Sequence, residues 1–224
     1  MKISVIIPAY NEEHYLSACL ESLENQEQKA DEIILVDNNS TDETAKIAKN
    51  FDIKIVQEKQ QGVIYARNKG FDQASFDIIA RCDADTIVPT DWVKKILNNF
   101  KHFSIDALSG TLIFYDLPLK TTFYVNSYLS IMKFLQKGKE TMLGPNMAIS
   151  RQFWQKIKSN LCQDQNQVHE DTDMAIHIQN EGGILKVDRS LIVQVSARRI
   201  KNKPSSFFIE YPWRLVKTLR IHKF

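Results

Sequence analysis

The segment Phe76-Asp77-Ile78-Ile79-Ala80-Arg81-Cys82-Asp83-Ala84-Asp85-Thr86 runs from a β-branched, apolar stretch into a short acidic cluster. Its apolar part has the length of a strand and the acids end it, so residues 76–82 read as a strand with carboxylates at its carboxyl end. In extended backbone, residues two apart point to the same side. Asp83 and Asp85 can therefore face one hard cation, and a divalent ion held there can bridge a diphosphate. Alone, Asp-x-Asp also fits a solvated turn after a strand.

Working outward, residues 3–8 and 32–37 are two more short β-branched runs. Each ends in a polar cluster and precedes a helical pattern, the alternation of βαβ units and of an α/β fold. Between them Leu16, Cys19, Leu20 and Leu23 fall at i, i+3, i+4 and i+7, one apolar stripe on a helix predicted to begin near Asn11 or Glu12. Ser40 followed by Glu43 has the spacing of a capping box and predicts a second helix start. Further strands are expected at 54–56 and 107–114, with helices over 62–74 and from a Thr90 cap through residue 100. Polar clusters follow Ile7, Val36 and Cys82, all at strand carboxyl ends, where open α/β sheets bind ligands. The second half is less regular. An apolar helix near 121–137, a strand at 142–149 and a helix begun by Ser150 lead to a polar loop at 159–169. Glu170-Asp171 then opens a helix to about 180, followed by strands at 184–187 and 191–196.

A chain of 224 residues, 43% hydrophobic and 25% charged, has ordinary globular statistics. One domain over 1–224 is expected, with a first half over 1–100, a second over 101–200 and a basic, aromatic tail over 201–224. Cys19, Cys82 and Cys162 are odd in number and far apart, which disfavours a disulfide framework or a thiolate zinc site and fits a reducing cytoplasm. Pro8, Asn11, Glu12 and Glu13 end the first apolar run too early for a signal peptide. Nine of the thirteen residues from Phe123 to Leu135 are hydrophobic, yet the run is shorter than the roughly 20 that a spanning helix needs. The net charge of +2 is uneven: residues 198–224 carry eight Lys/Arg against Glu210 alone, so the remainder is acidic.

Four blocks together resemble the family 2 glycosyltransferases. They are Val5-Ile6-Ile7-Pro8-Ala9-Tyr10-Asn11-Glu12-Glu13, Val36-Asp37-Asn38-Asn39-Ser40-Thr41-Asp42, the segment Gly62 through Ala66-Arg67-Asn68-Lys69-Gly70, and Asp83-Ala84-Asp85 with Glu170-Asp171 later. In order and spacing they are far more specific than any one alone. The resemblance implies a GT-A type fold, a Rossmann-like mixed central sheet with helices on both faces. It implies an inverting transferase that moves one sugar from a nucleoside-diphosphate sugar, with a leaning to uridine, to a hydroxyl acceptor.

Position by position, the resemblance implies that Pro8, Tyr10 and Glu12 flank the nucleoside, that Asp37 hydrogen-bonds the base, and that Arg67 contacts base or diphosphate. It implies that Asp83 and Ala84 touch the donor, and that Asp83 and Asp85 hold a divalent cation, Mg²⁺ or Mn²⁺, which stabilises the departing diphosphate. Asp171 is the implied base toward the acceptor hydroxyl, with Glu170, Asn146 and Trp154 lining the acceptor side. Ser196-Ala197-Arg198-Arg199 is similar to a late segment that reaches the diphosphate, or forms a basic rim.

The sequence departs from the family pattern in three places. Asp-Asn-Asn-Ser stands where many relatives have Asp-Asp-Gly-Ser, His177 stands where an Arg often follows the acidic pair, and no Gln-x-x-Arg-Trp of the processive synthases is present. Single-sugar addition is therefore expected. The tail mixes cations with Phe207, Phe208, Tyr211, Trp213 and Phe224, a composition suited to an anionic membrane surface. A peripheral enzyme on the inner face of the cell membrane with a lipid-linked acceptor is the resulting expectation. Nucleic acid is not expected as a partner, because the body is acidic. A nucleotidyltransferase should open with a Gly-rich phosphate loop, absent here; a non-catalytic nucleotide-sugar-binding module stays open as the alternative.

Overall fold

The computed structural model describes residues 1–117, 122–164 and 166–223; the side chains of Thr122, Phe207 and Phe208, and all of Phe224, lie outside the described residues. In chain order the elements are β1 (Ile3–Ala9), α1 (Leu16–Glu24), β2 (Glu32–Asp37), α2 (Thr44–Ala48), β3 (Lys54–Gln57), α3 (Val63–Gln73), β4 (Ile78–Arg81), α4 (Trp92–His102) and β5 (Ala107–Phe114). Then follow α5 (Thr122–Leu135), β6 (Met147–Ser150), α6 (Arg151–Ile157), α7 (Glu170–Asn180), β7 (Leu185–Val195), α8 (Arg198–Asn202), a π-helical turn (Ser206–Glu210) and α9 (Tyr211–Ile221).

Seven strands form one mixed sheet in the order β3-β2-β1-β4-β6-β5-β7. β1 pairs in parallel with β2 on one side and β4 on the other, so the strand order reverses between β1 and β4. That reversal opens a crevice beyond the carboxyl ends of β1 and β4, and the residues following them, Tyr10–Glu12 and Asp83–Asp85, lie at its mouth. β6 runs antiparallel to both β4 and β5.

Both sheet faces are covered, and the strands show it in their side chains. Val5, Ile7 and Leu35 pack with Leu16, Leu20 and Leu23 of α1 and with Trp92, Val93 and Ile96 of α4. Ile6, Ile34 and Val36 point the other way, against Ala66 and Phe71 of α3, Trp154 of α6 and Met174 of α7. Helix α3 lies so close that a Cβ on Gly70 would meet Ile6 Cγ2 at 2.2 Å.

Several boundaries depart from expectation for physical reasons. The stripe Leu16, Cys19, Leu20 and Leu23 is buried, but α1 starts at Leu16, because residues 11–15 form a turn closed by Tyr15 N–H to the Glu12 carbonyl. Ser40 caps no helix: its hydroxyl accepts Asn11 N–H at 3.1 Å, a tertiary bond that tethers the turns after β1 and β2, and α2 begins only at Thr44. Thr90 likewise leaves no side-chain cap on α4, which follows Asp91. The strand expected at 142–149 is shortened to Met147–Ser150 by a turn in which Asn146 N–H meets the Leu143 carbonyl. The two strands expected at 184–187 and 191–196 are one, β7, with an irregularity in its pairing opposite Gly110. Among the described residues no helix is long and apolar enough to cross a membrane.

Asn146 explains how β5, β6, β7 and α4 are joined. It is fully buried; its amide donates to the carbonyls of Thr111 and Leu191, each at 2.8 Å, and its oxygen accepts Trp92 Nε1–H at 2.9 Å. Every strong site of the side chain is used internally. Asn146, assigned by resemblance to the acceptor side, is thus a structural tie in this fold. Replacing it with Ala strands one donor and two acceptors in the core, so Asn146→Ala is expected to lose about 2–4 kcal/mol in urea unfolding. A loss below about 0.5 kcal/mol, the scatter of ordinary surface substitutions, would contradict the role.

Candidate active site

The acids after β4 meet the acids that open α7 through Arg81, the last residue of that strand. Arg81 is buried, and its Nε and Nη2 donate to Asp83 Oδ1 at 3.2 and 2.9 Å while its Nη1 donates to Glu170 Oε1. The other Glu170 oxygen takes Nη1 of Arg67, which is itself buried and forks its remaining nitrogens onto Asn68 Oδ1. Two guanidinium groups and two carboxylates thus compensate one another, with both arginines buried and Asp83 still partly open to solvent. Burial alone would lower the Arg81 pKa, but Glu170 and Asp83 raise it; burial lowers that of Arg67 against the pull of Glu170.

The network places two of the assigned residues beneath the crevice. Arg67, at 1% exposure, braces Glu170. Glu170 in turn has each carboxylate oxygen held by an arginine. Trp154 is 1% exposed, edge-on to Phe71 at 5.0 Å, with its N–H bonded to Asp72, so its ring lies in the core.

On the crevice side a second cluster forms. Arg198, at the start of α8, donates Nη2 to Glu12 Oε1 and pairs through Nε with Asp85 Oδ2 at 3.2 Å, with its guanidinium over the Tyr15 ring. Asp83 and Asp85 keep 35% and 14% of their side chains exposed, and Glu12 keeps 12%. Burial, then the neighbouring Asp83 charge, pushes the Asp85 carboxyl up to about 7; burial also raises that of Glu12. The buried Glu12 Oε2 has no hydrogen-bond partner. Glu12 and Asp85, which share Arg198, and Asp83, which pairs with Arg81, form an oxygen-only set of three carboxylates that fits a hard divalent cation. Ala84, between the two acids in sequence, is buried at 2% exposure in the apolar core.

The nucleoside-side residues occupy the rim. Tyr10 is 48% exposed beside Asn11, whose backbone is left-handed at φ 55°. Asn11 Oδ1 accepts Thr41 N–H at 2.8 Å, locking this turn to the one after β2. Asp37 is 3% exposed, with its oxygens taken by Ser40 N–H and Gln57 Nε2, so it holds the turn in this state. Pro8 is half-buried in β1.

Asp171 is 7% exposed in the first turn of α7, where the helix dipole favours an anion. Its Oδ1 meets His169 Nδ1 and accepts Thr172 N–H, and its Oδ2 accepts Gly144 N–H at 2.9 Å. Burial would raise its pKa, yet the His169 partner and these donors bring it down to about 2, while Asp171 raises that of His169 against burial. A lone pair remains on Oδ2 for a further donor.

Sequence reasoning missed Arg81 and His169. For Arg81 the signal was present: a lone arginine in the run Ile78-Ile79-Ala80-Arg81-Cys82 must find partners if the strand is central. His169 had no such signal. Its N–H donates to Thr218 Oγ1 of α9 and its ring meets Tyr211 at 5.0 Å, so a contact 49 residues away defines its place. The tail also differs from expectation: α9 packs on α7, with Thr218 fully buried, while Trp213 and Ile221 are half exposed.

The family model described as Glycosyl transferase family 2 matches residues 4–158. Glycosyltransferase GlyA of Streptococcus pneumoniae is 30% identical over 154 residues, 62% of this chain and 22% of its own length. Glycosyltransferase AglE of Haloferax volcanii is 32% identical over 120 residues, 50% of this chain and 40% of its own. The chain thus spans less than half the length of these curated relatives. Among solved structures, the mannosyltransferase PcManGT of Pyrobaculum calidifontis, in complex with GDP-Man and Mn²⁺, superposes with a TM-score of 0.80 at 19% identity, over 99% of this chain and 64% of that one. Glucosyl-3-phosphoglycerate synthase of Mycobacterium tuberculosis gives a TM-score of 0.71 at 18% identity, over 98% and 79%. At such identity the likeness establishes the GT-A fold, and together with the match over residues 4–158 it means that this chain belongs to the family 2 glycosyltransferases.

Proposed function

We propose that the protein is an inverting, metal-assisted glycosyltransferase that moves one sugar from a nucleoside-diphosphate sugar to a hydroxyl acceptor, with Asp171 as the base. One observation carries this reading: Arg81 joins Asp83 to Glu170 within a single guanidinium, so the donor-side acids and the helix that bears Asp171 belong to one crevice. The nucleoside lies at the rim between Tyr10 and the turn held by Asp37, with Pro8 beneath. Glu12, Asp83 and Asp85 hold Mg²⁺ or Mn²⁺, which when bound offsets the charge that builds on the diphosphate. Mn²⁺ bound with GDP-Man in the fold neighbour PcManGT supports that choice. Arg198, paired with Glu12 and Asp85 here, is a cation of the chain placed to bind the diphosphate were those acids to hold the ion.

Asp171 needs no large movement to work. Gly144 N–H and Thr172 N–H fix its carboxylate, and the remaining Oδ2 lone pair receives the acceptor hydroxyl. The His169 partner keeps the group ionised and aligned, but a protonated imidazole also weakens it as a base. Asp171→Asn is expected to reduce transfer about 10²–10⁴-fold while donor binding, read as a Mn²⁺-dependent thermal shift with nucleoside diphosphates, persists. Asp85→Asn should lose that shift. Near-normal turnover in Asp171→Asn would remove the assignment.

The His169–Asp171 pair also predicts a pH dependence of stability. His169 is raised from 6.5, so its contribution is complete below that value and is lost as pH rises through the raised one. Asp171 is lowered from 3.8 to about 2, so its contribution is present above 3.8 and lost as pH falls toward 2. The stability deficit of His169→Gln in urea should therefore be largest at about pH 4–6.5 and shrink on the alkaline side. A deficit that does not shrink as pH rises from about 6 to about 9 would show the pair to be uncharged on its imidazole side.

The acceptor is proposed to be lipid-linked. Helix α5 exposes Phe123, Tyr124, Ile131 and Phe134, at 73, 61, 57 and 83%, while Leu129 and Met132 face inward. Trp213 and the cations of α9 add an interfacial aromatic and positive charge. Anionic liposomes at low salt should co-sediment the protein, and Phe134→Ser with Ile131→Ser should weaken this several-fold; no sedimentation would remove the membrane element and leave the transfer reading intact.

A further inference from the structure

Helix α7 carries Asp173 and His177 four residues apart, hence on one face. Asp173 lies two positions after Asp171, about 200° round the helix and so turned away from the crevice. The end of α9 brings His222 onto that same face. Nε2 of His222 lies 2.8 Å and Nε2 of His177 3.7 Å from Asp173 Oδ1, and one ligand atom from each of the three side chains falls within 4.8 Å of the other two. Tetrahedral ligands on arms of about 2.0–2.1 Å stand about 3.3 Å apart. Two of the three edges are therefore within about 0.5 Å of coordination geometry.

We propose that Asp173, His177 and His222 form a cation site of the zinc class that ties the C-terminal helix to α7. The ligand chemistry selects the ion. Two imidazoles and one carboxylate are a borderline nitrogen and oxygen set suited to Zn²⁺ or Co²⁺, unlike the oxygen-only set of Glu12, Asp83 and Asp85. The surroundings hold the set in aim: Asp173 Oδ2 accepts Cys162 N–H at 3.1 Å, which turns Oδ1 toward the imidazoles, the outer-shell support that ligating carboxylates carry. Asp173 is buried to 3%, whereas His177 keeps 21% of its side chain exposed, so an ion has an entry path and solvent can supply the fourth ligand. An ion here would also steady the neighbour of the proposed base, because α9 supplies the Thr218 hydroxyl and the Tyr211 ring that seat His169.

The test uses the full chain without a polyhistidine tag, stripped with a chelator and titrated with Co²⁺ and Zn²⁺. One equivalent of Co²⁺ should develop the intense visible absorption of a tetrahedral site, and Zn²⁺ should displace it. Zn²⁺ at about 100 times its Kd should raise the Tm by roughly 5–10 °C. His222→Gln and His177→Gln, confirmed as folded by circular dichroism, should each weaken the ion more than about tenfold. Asp85→Asn should leave it unchanged, which separates this site from the donor cation. Unaltered Co²⁺ absorption in His222→Gln would overturn the proposal. So would a thiolate charge-transfer band that disappears in Cys162→Ser, or no binding in the micromolar range.

Discussion

The arrangement depends on the burial of Arg81. A guanidinium at 2% exposure in the middle of the sheet cannot be left unpaired, and among the described residues it is ion-paired with Asp83, two residues on in the chain, and Glu170, 89 residues away. Satisfying that charge forces the amino end of α7 against the carboxyl end of β4. Everything that gives the crevice two walls follows. Asp171 is placed next to Glu170 by the chain itself, and Asp83 is turned so that one oxygen serves Arg81 while the other stays free. Arg67 fills the remaining side of Glu170, so removal of any member leaves a buried charge uncompensated.

Charge distribution then divides the crevice into regions of different chemistry. Beneath it the arginines and Glu170 with Asp83 are balanced, and there is nothing for a ligand to add. At its mouth, among the described residues, Glu12 and Asp85 share Arg198 while Asp83 shares Arg81 with Glu170, the carboxyl of Asp85 is driven up to about 7, and one buried oxygen of Glu12 has no hydrogen-bond partner. In the proposed reaction such a site would gain most from a bound cation. Arg198, at a helix start on the late chain and outside the sheet that fixes the acids, is the counter-charge paired with Glu12 and Asp85.

Much of this was legible in the sequence, and the parts that were not have a common cause. The stripe of α1, the strands after which the polar clusters fall, and the acids at the end of β4 are local patterns whose periodicity states their burial. The capping reading at Ser40 failed because its hydroxyl is taken by Asn11 N–H from a turn 29 residues earlier, a tertiary partner that outbids the local one. Asn146 and Trp154 sit in segments that resemble an acceptor side, yet their polar atoms are consumed by Trp92, Thr111, Leu191 and Asp72. Residue type and spacing do not reveal which way a side chain faces when both faces of the sheet are covered.

The tail shows the same limit from the other direction. Composition registers its cations and aromatic rings but gives no hint that Thr218 and His222 turn inward, because neither residue belongs to an apolar stripe. Their partners, His169 N–H and Asp173, are polar groups on α7 that would otherwise face solvent or stay unsatisfied once α9 covers them. Docking of α9 is thus governed by polar complementarity more than by buried apolar area. It follows that α9 is the element whose attachment responds to what binds or protonates those groups, while the sheet and its acids, held by the two apolar cores, stay as they are. The late chain thereby touches the crevice at two places, through Arg198 at Glu12 and Asp85 and through α9 at His169 beside Asp171.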